Sequence, residues 1–249
     1  MITEALKQIK KNTMLFITAA IIDIIFLLAY GFYTAPIKNQ ILTHAALITS
    51  KLAVIMAEKP TGILKQAFAP EIRPYTIKLI IIILILFITT YLVYVISQGT
   101  SWWITTRIAG KKHKYHEYMK EFAKINLIWL AFYAAYKILQ LIITTRQTII
   151  QKITETTGTT NNILFGMALL IGITAFFSYP TLKTTTLFKT PLHKTLPIIA
   201  IGLGSYLIIQ IITTQITNPK IALATGIILL FPTIIFTKIL TIQNVHTHN

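Results

Sequence analysis

The chain has 249 residues, of which 54% are hydrophobic and only 12% are charged, whereas a soluble domain carries about 25% charged residues. This composition excludes a soluble globular domain and indicates a protein that spans a membrane. In so apolar a chain, the net charge of +16 is typical of loops that face an anionic membrane surface, so nucleic acid is not an expected partner. The lack of cysteine excludes disulfides and thiolate metal sites.

Six apolar segments of about 18–22 residues are long enough to cross a hydrocarbon core of about 30 Å. They lie near residues 13–33, 76–97, 125–144, 162–180, 195–214 and 220–240. The first follows a basic N-terminus, as in a signal peptide, but its apolar run is too long and no cleavage site follows, so we expect it to be retained. The sequence therefore predicts an all-α, polytopic transmembrane helical bundle of six spans, with residues 1–249 forming one domain.

Basic residues predict the orientation of this bundle. An even number of spans places both termini on one side, and loops rich in lysine and arginine stay in the cytoplasm. The lysines before the first span, the segment 107–124 and the loop 182–195 together outweigh the basic residues of the opposite loops. We therefore predict a multi-pass protein of the cell (plasma) membrane whose N-terminus is cytoplasmic.

The long loop between the first two predicted spans contains a further helical pattern. Near residues 41–57, Ile41, Ile48 and Leu52 share one helix face while polar residues lie away from it. This pattern predicts a short amphipathic helix that lies in the membrane interface. The alternatives are a segment that re-enters the membrane and a seventh span over the same residues. The seventh span would bury Lys51 and move the C-terminus to the opposite side.

The stretch SWWITTRIAGKKHKYHEYMKEF begins at Ser101, just after the second predicted span. In it, Tyr115, Tyr118 and Phe122 recur at helical spacing, which predicts a second amphipathic interfacial helix near residues 112–123. Aromatic rings prefer the headgroup boundary, and each exposed lysine or arginine gains about 1 kcal/mol against an anionic leaflet. The residues predicted to contact lipid headgroups are Trp102, Trp103, Arg107, Lys111, Lys112 and Lys114.

The same stretch holds His113, His116 and Glu117 within one helical turn. Their order differs from the H-E-x-x-H of zinc proteases, and the remaining histidines form no second cluster. We therefore predict no metal site. The sequence also lacks a G-x-S-G motif, a glutamate pair within a span and a phosphate-binding glycine loop, so it predicts neither catalytic residues nor a cofactor.

Asp23, the one aspartate of the chain, lies near the middle of the first predicted span. A charge at that depth costs about 2.5–3.5 kcal/mol on insertion scales, so it needs a partner or a proton. Asp23 lies ten residues into its span and Lys137 twelve residues into the third, which places both about 15–18 Å deep. The sequence therefore predicts a buried pair of Asp23 and Lys137.

The third predicted span also carries a row of polar residues at helical spacing, so that they share one face. The members of this predicted seam are Asn126, Tyr133, Lys137 and Gln140. One interpretation is hydrogen bonding between helices, which holds the bundle together. The other is a path for protons or solutes that ionisable groups line.

The segment QGTSWWITTRIAGKKHKYHEYMKEFAKINLIWL, from Gln98 to Leu130, resembles uncharacterised six-span integral membrane proteins of small-genome archaea. It is also distantly similar to the membrane domain attached to some glycerophosphodiester phosphodiesterases. The resemblance covers this segment and the order of the spans. It implies a helical membrane fold and transfers no catalytic residue.

These observations predict a non-catalytic membrane scaffold or accessory protein that contacts anionic lipid. Other membrane proteins, or a second copy of the chain, are its further expected partners. The alternative is a small transporter or permease, with a polar path lined by Asp23, Lys137 and the third span.

Overall fold

The computed structural model describes residues 2–58, 66, 68–154 and 160–246. The regular structure of these residues is entirely helical, which confirms the predicted all-α class. The helices are α1 (Ile2–Lys11), α2 (Thr13–Glu58), α3 (Arg73–Ile108), α4 (Tyr115–Thr154), α5 (Thr160–Ser178), α6 (Thr186–Lys189), α7 (Leu192–Thr214) and α8 (Pro219–His246).

Five of the described helices are long and apolar enough to cross a membrane. Their apolar parts are Thr13–Ile55, Arg73–Ile108, Tyr115–Gln140, His193–Thr214 and Pro219–Val245. The predicted fourth span corresponds to α5, whose apolar part, Ile163–Ser178, is shorter. Large aliphatic side chains such as Ile80, Ile81 and Leu84 of α3 are about half exposed, as expected of faces that meet lipid. The chain is a multi-pass membrane protein built as a helical bundle.

The two predicted interfacial helices are not separate elements. Residues 41–57 continue α2, which runs through Pro36 without a break, so they are not a helix of their own. Their placement in the membrane interface stays a prediction. Residues 115–123 are the first turns of α4, and the residues between Lys112 and Lys114 precede that helix. A helix ends at a capping or breaking residue, and not where its apolar face changes direction. No residue between 33 and 41, and none between 123 and 125, ends the helix.

The described residues divide into two compact units, and α2 and α3 contribute to both. One unit comprises Ile25–Tyr94. Within it, the hydroxyl of Tyr33 donates to Thr90 Oγ1 at 3.2 Å, and Lys51 Nζ lies 5.2 Å from the centre of the Tyr75 ring. The prediction of a single domain over the whole chain stays a prediction.

The other unit comprises the residues up to Ile24 together with those from Val95 onward, and α8 lies at its centre. Ile235, Ile239 and Leu240 of α8 are completely buried. They belong to a core that α1, α2, α3, α5 and α7 also supply, with side chains such as Ala5, Ala19, Ile104, Phe177 and Ile198. The C-terminal half of α8 is therefore the most enclosed segment of this unit.

The helix ends that carry most of the cations lie together in this unit. Tyr118 OH donates to the carbonyl of Tyr179 at 3.2 Å, Asn244 Nδ2 donates to the carbonyl of Lys194 at 2.7 Å, and α1 packs on α8. These contacts join α1, residues 107–124, residues 179–194 and the end of α8 into one face, called here the basic end. Its exposed cations are Lys7, Lys10, Lys11, Arg107, Lys112, Lys114, Lys120, Lys124, Lys183 and Lys189.

Two glycines of this region have different roles. Gly110 ends α3, and Gly99 lies where α4 packs against α3. Gly110 adopts a positive φ of 85° and follows the last turn of α3, where the Lys111 N–H donates to the Thr106 carbonyl at 3.0 Å; this is the usual glycine termination of a helix. At Gly99, an added Cβ would lie 2.8 Å from Met119 Sδ and 2.9 Å from Phe122 Cδ1. Glycine at position 99 therefore allows α3 and α4 to pack closely.

Replacing Gly99 by alanine is expected to destabilise the protein by about 1–3 kcal/mol, the usual cost of overpacking a core. Met119 can move its flexible end, but Phe122 is completely buried and its ring has little freedom. Thermal unfolding in detergent, followed by tryptophan fluorescence, measures the effect. Gly172→Ala is the matched control, because no atom lies within 4 Å of its added Cβ. Equal melting temperatures for the two variants would contradict the close packing.

Candidate functional site

A buried ion pair joins the first span to the last helix. Asp23 of α2 and Lys238 of α8 are each only 2% exposed, and Lys238 Nζ lies 2.9 Å from Asp23 Oδ2. Ala19 and Ala20, one turn before Asp23, are buried on the same side of α2. Because alanine side chains are small, α8 can approach α2 closely enough for the two charges to meet.

Two polar residues of α3 complete the hydrogen bonding of this pair. Gln98 Nε2 donates to Asp23 Oδ1 at 2.9 Å, so each carboxylate oxygen accepts one bond. Lys238 Nζ donates to Asp23 Oδ2, to Gln98 Oε1 at 3.2 Å and to Ser101 Oγ at 2.8 Å. A lysine ammonium has three N–H donors and here each one has an oxygen acceptor. The four residues Asp23, Gln98, Ser101 and Lys238 are called the buried pair site below.

The spacing of polar and aromatic residues along α3 explains why one face of this helix supplies several residues to the site. Gln98, Ser101 and Trp102 stand at positions i, i+3 and i+4, which share a face of an α-helix. Lys238 Nζ lies 5.4 Å from the centre of the Trp102 ring, within the range of a cation–π contact. The ammonium is therefore surrounded by oxygen atoms and an aromatic face instead of water.

An aromatic and polar network extends from this site to two more parts of the bundle. The Trp102 ring contacts Phe176 of α5 at 5.1 Å and Tyr179 at 5.3 Å between ring centres. The hydroxyl of Tyr179 donates to Asn126 Oδ1 of α4 at 2.9 Å, and Asn126 Nδ2 donates to the Phe122 carbonyl at 2.8 Å. Contacts thus run from α2 and α8 through α3 to α5 and α4.

A neighbouring bond adds to the contact between α4 and α5. Trp129 Nε1 donates to Ser178 Oγ at 2.9 Å, and Ser178 Oγ donates in turn to the carbonyl of Ala175 at 2.6 Å. Ser178 is the last residue of α5, so its hydroxyl links the end of that helix to α4. Sequence reasoning did not single out this bond.

The prediction that Lys137 pairs with Asp23 is wrong. Lys137 lies on an exposed face of α4, where its Nζ donates to Gln140 Oε1 at 2.9 Å and lies 5.5 Å and 5.7 Å from the ring centres of Tyr133 and Tyr136. The depth estimate was reasonable, but depth does not determine which way a helix face points. Of the predicted polar seam, Asn126 joins the buried network, whereas Tyr133 is half exposed.

The true partner was missed because the predicted last span ended near residue 240. Helix α8 continues to His246, so Lys238 lies two turns inside the helix and not at its end. Gln98 and Ser101 were missed for the same reason, since α3 continues from the predicted end at 97 to Ile108. The signal that the sequence offered was a lysine flanked on both sides by apolar residues, and Lys137 carries the same signal as Lys238.

The prediction that Trp102 contacts lipid headgroups is also wrong, because its side chain is only 1% exposed and lies in the core. Trp103, the next residue, is half-buried; its Nε1 donates to the His113 carbonyl at 2.9 Å and the Arg107 guanidinium lies 4.9 Å from its ring centre. Tyr115 meets the same ring edge-on at 5.1 Å. Of the two tryptophans, Trp103 is therefore the one that lies at the surface.

The predicted headgroup cations lie at the basic end. Arg107, Lys112 and Lys114 are exposed, whereas Lys111 is half-buried and its burial lowers its pKa. Lys114 also pairs with Glu117 at 3.3 Å. Their contact with lipid stays a prediction.

The histidine cluster at the start of α4 shows no metal-binding geometry. His113, His116 and Glu117 are all exposed, and Glu117 is paired with Lys114. In the ranges that the structure describes, no group of three or more histidine, aspartate or glutamate side chains is placed to hold a metal ion.

Comparisons of the chain with protein-family models, with curated proteins and with solved structures gave no match. The resemblance of the Gln98–Leu130 segment to archaeal six-span membrane proteins therefore stays a prediction.

Proposed function

We propose that the protein is a non-catalytic scaffold or accessory protein of the cell membrane, which contacts anionic lipid through its basic end. The observation that carries this proposal is the gathering of exposed cations on one face of one unit. The carboxylates of the same face that the structure describes are Glu4, Glu117 and Glu121, and the last two are paired with lysines. Even with these two pairs counted, the cations of this face outnumber its carboxylates, so a net positive charge is available to headgroups.

The buried pair site supports a structural role for the intramembrane charges. Both carboxylate oxygens of Asp23 and all three N–H donors of Lys238 are occupied by protein groups. Charges that are fully paired in a packed interior fix how helices dock. In this proposal the site sets the arrangement of α2, α3 and α8, and the basic end is the surface that acts outward.

The proposal includes the orientation. Basic segments stay in the cytoplasm, where the membrane leaflet carries anionic lipid. The basic end, with the N-terminal helix α1 and the end of α8, would then face the cytoplasm. Other membrane proteins or a second copy of the chain remain further candidate partners.

The double substitution Lys112→Glu and Lys114→Glu is expected to lower the preference for anionic lipid by about 30-fold or more, because each cation near an anionic surface contributes about 1 kcal/mol. Native mass spectrometry of the protein released from mixed nanodiscs of phosphatidylglycerol and phosphatidylcholine measures the retained lipid. Lys220→Glu is the control, since Lys220 is exposed at the start of α8, away from the basic end. An equal loss with Lys220→Glu, or no loss with the double variant, would contradict the proposal.

A small transporter is the second candidate function. It is favoured by one observation, that an acidic and a basic side chain are buried together within membrane helices, where such groups often mark the path of a proton or an ion. The path would use Asp23 and Lys238, since Lys137 lies on an outer face. Access of water to the pair distinguishes the two candidates.

A further inference from the structure

A groove at the basic end combines cations with an apolar wall. It has a volume of about 390 Å³ and lies between the first turns of α4 and the segment that follows α5. Its lining residues are Glu121, Lys124, Ile125, Ile128, Leu182, Lys183, Thr184 and Thr185. All of them belong to the unit that contains the buried pair site.

The α4 wall of this groove changes from polar to apolar along the helix axis. Glu121, Lys124, Ile125 and Ile128 stand at i, i+3, i+4 and i+7, so they share one face. At about 1.5 Å per residue, Ile128 lies roughly 10 Å farther into the membrane-spanning part than Glu121. Ile128 is 47% exposed, although its helix is apolar. The groove is thus polar at the end nearer the start of α4 and apolar farther along the helix.

The charges of the lining favour an anion. Lys124 and Lys183 are exposed cations, and Thr184 and Thr185 add hydroxyl donors. The carboxylate of the lining, on Glu121, is already paired with Lys124 at 2.6 Å. One net positive charge therefore remains, on a wall that also offers hydrogen-bond donors.

The opposite wall is held in place before any ligand arrives. The Lys183 N–H donates to the Ser178 carbonyl at 3.2 Å, and Thr186 Oγ1 donates to the Lys183 carbonyl at 2.7 Å. Leu182 adopts a φ of 57°, a left-handed conformation that disfavours leucine and suits glycine. The leucine side chain lines the groove despite this strain, which is consistent with a contact that glycine could not provide.

We propose that this groove binds one anionic phospholipid of the surrounding bilayer, with the phosphodiester against Lys124, Lys183 and the two threonines and an acyl chain along Ile125 and Ile128. The proposal rests on the function proposed above and deepens it, because it replaces general attraction at the basic end by one defined site. The groove and a phospholipid match in charge and in the order of their polar and apolar parts. The groove has cations at one end and an apolar wall at the other, and a phospholipid has an anionic group followed by its acyl chains.

The test compares two pairs of substitutions at the basic end by native mass spectrometry, with phosphatidylglycerol and phosphatidylcholine as probes. Lys124→Gln with Lys183→Gln removes the groove cations, whereas Lys120→Gln with Lys189→Gln removes the same charge from exposed positions outside the groove. We expect the first pair to weaken phosphatidylglycerol binding about tenfold more than the second, which lowers only the general attraction of the basic end. Ile128→Trp, which keeps every charge but obstructs the apolar wall, is expected to act like the first pair.

Each outcome has a distinct meaning. Equal weakening by both pairs, with no effect of Ile128→Trp, would overturn the groove site and leave general attraction at the basic end. Absence of any preference for phosphatidylglycerol in the unsubstituted protein would overturn the proposed function together with the groove. Melting temperatures of all variants, measured in the same detergent, exclude loss of folding as the cause of weakened binding.

Discussion

Replacing Lys238 by methionine is expected to destabilise the folded protein by about 3–5 kcal/mol, the usual cost of removing one partner of a buried ion pair. The substitution leaves the Asp23 carboxylate in the interior with Gln98 as its remaining donor and removes a link between α8 and α3. Equilibrium unfolding in mixed detergent micelles measures the loss.

Two further variants separate the pair from its individual members. Adding Asp23→Asn to Lys238→Met removes the uncompensated charge, so we expect the double variant to recover a large part of the lost stability. Lys137→Met is the matched control, because Lys137 lies on an exposed face, and its effect is expected to stay within about 0.5 kcal/mol. Additive losses at Asp23 and Lys238 would contradict the coupling.

Replacing Trp102 by alanine is expected to cost about 3–5 kcal/mol, because it opens a large cavity in a packed core. The substitution also removes the ring that Lys238, Phe176 and Tyr179 contact. Trp103→Ala, one residue away, is expected to cost clearly less because Trp103 is half-buried at the surface. Unfolding in the same micelles compares the two.

A comparison of the two tryptophan variants also shows whether both rings anchor the protein at the membrane interface or Trp102 packs in the core. If both served as interfacial anchors, the two substitutions would have similar, modest effects on stability. A cost for Trp103→Ala equal to or larger than that for Trp102→Ala would contradict the buried placement of Trp102.

Much of the fold follows from the apolar runs of the sequence. Runs of about twenty apolar residues have no stable arrangement in a membrane other than a helix, so five predicted spans lie within helices of the structure and the fourth extends two residues past α5. The ends of the helices were harder to predict. Helices α2, α3 and α4 extend past the apolar runs because a helix continues until a residue such as Gly110 ends it.

The partner of Asp23 could not be derived from one sequence. Asp23 and Lys238 are separated by 215 positions along the chain, and the sequence pattern gives depth in a helix but not the neighbour that a given face meets. Both Lys137 and Lys238 fitted the requirement for a cation. The packing of the helices selects Lys238, because the small side chains of Ala19 and Ala20 allow α8 to approach the Asp23 carboxylate.

The error at Trp102 has the same physical origin. Aromatic rings are enriched at the membrane interface, and that tendency predicted the same interfacial role for Trp102 and Trp103. Adjacent residues of a helix point about 100° apart. The Trp102 ring therefore lies in the core, whereas the Trp103 ring lies at the surface. The basic residues of the stretch were easier to assign, because exposed charge is the default for lysine and arginine.

We propose that the buried pair site excludes water and holds the helices together. The reactivity of one thiol introduced at this site tests that proposal most directly. The chain has no cysteine, so Ser101→Cys introduces a single thiol beside Lys238, at a position that is completely buried. In lipid nanodiscs we expect a membrane-impermeant maleimide to leave this thiol unmodified while it labels the exposed Lys112→Cys control rapidly. Labelling of Ser101→Cys at a comparable rate in the folded protein would reveal a water path to the pair and would favour a transporter over a scaffold.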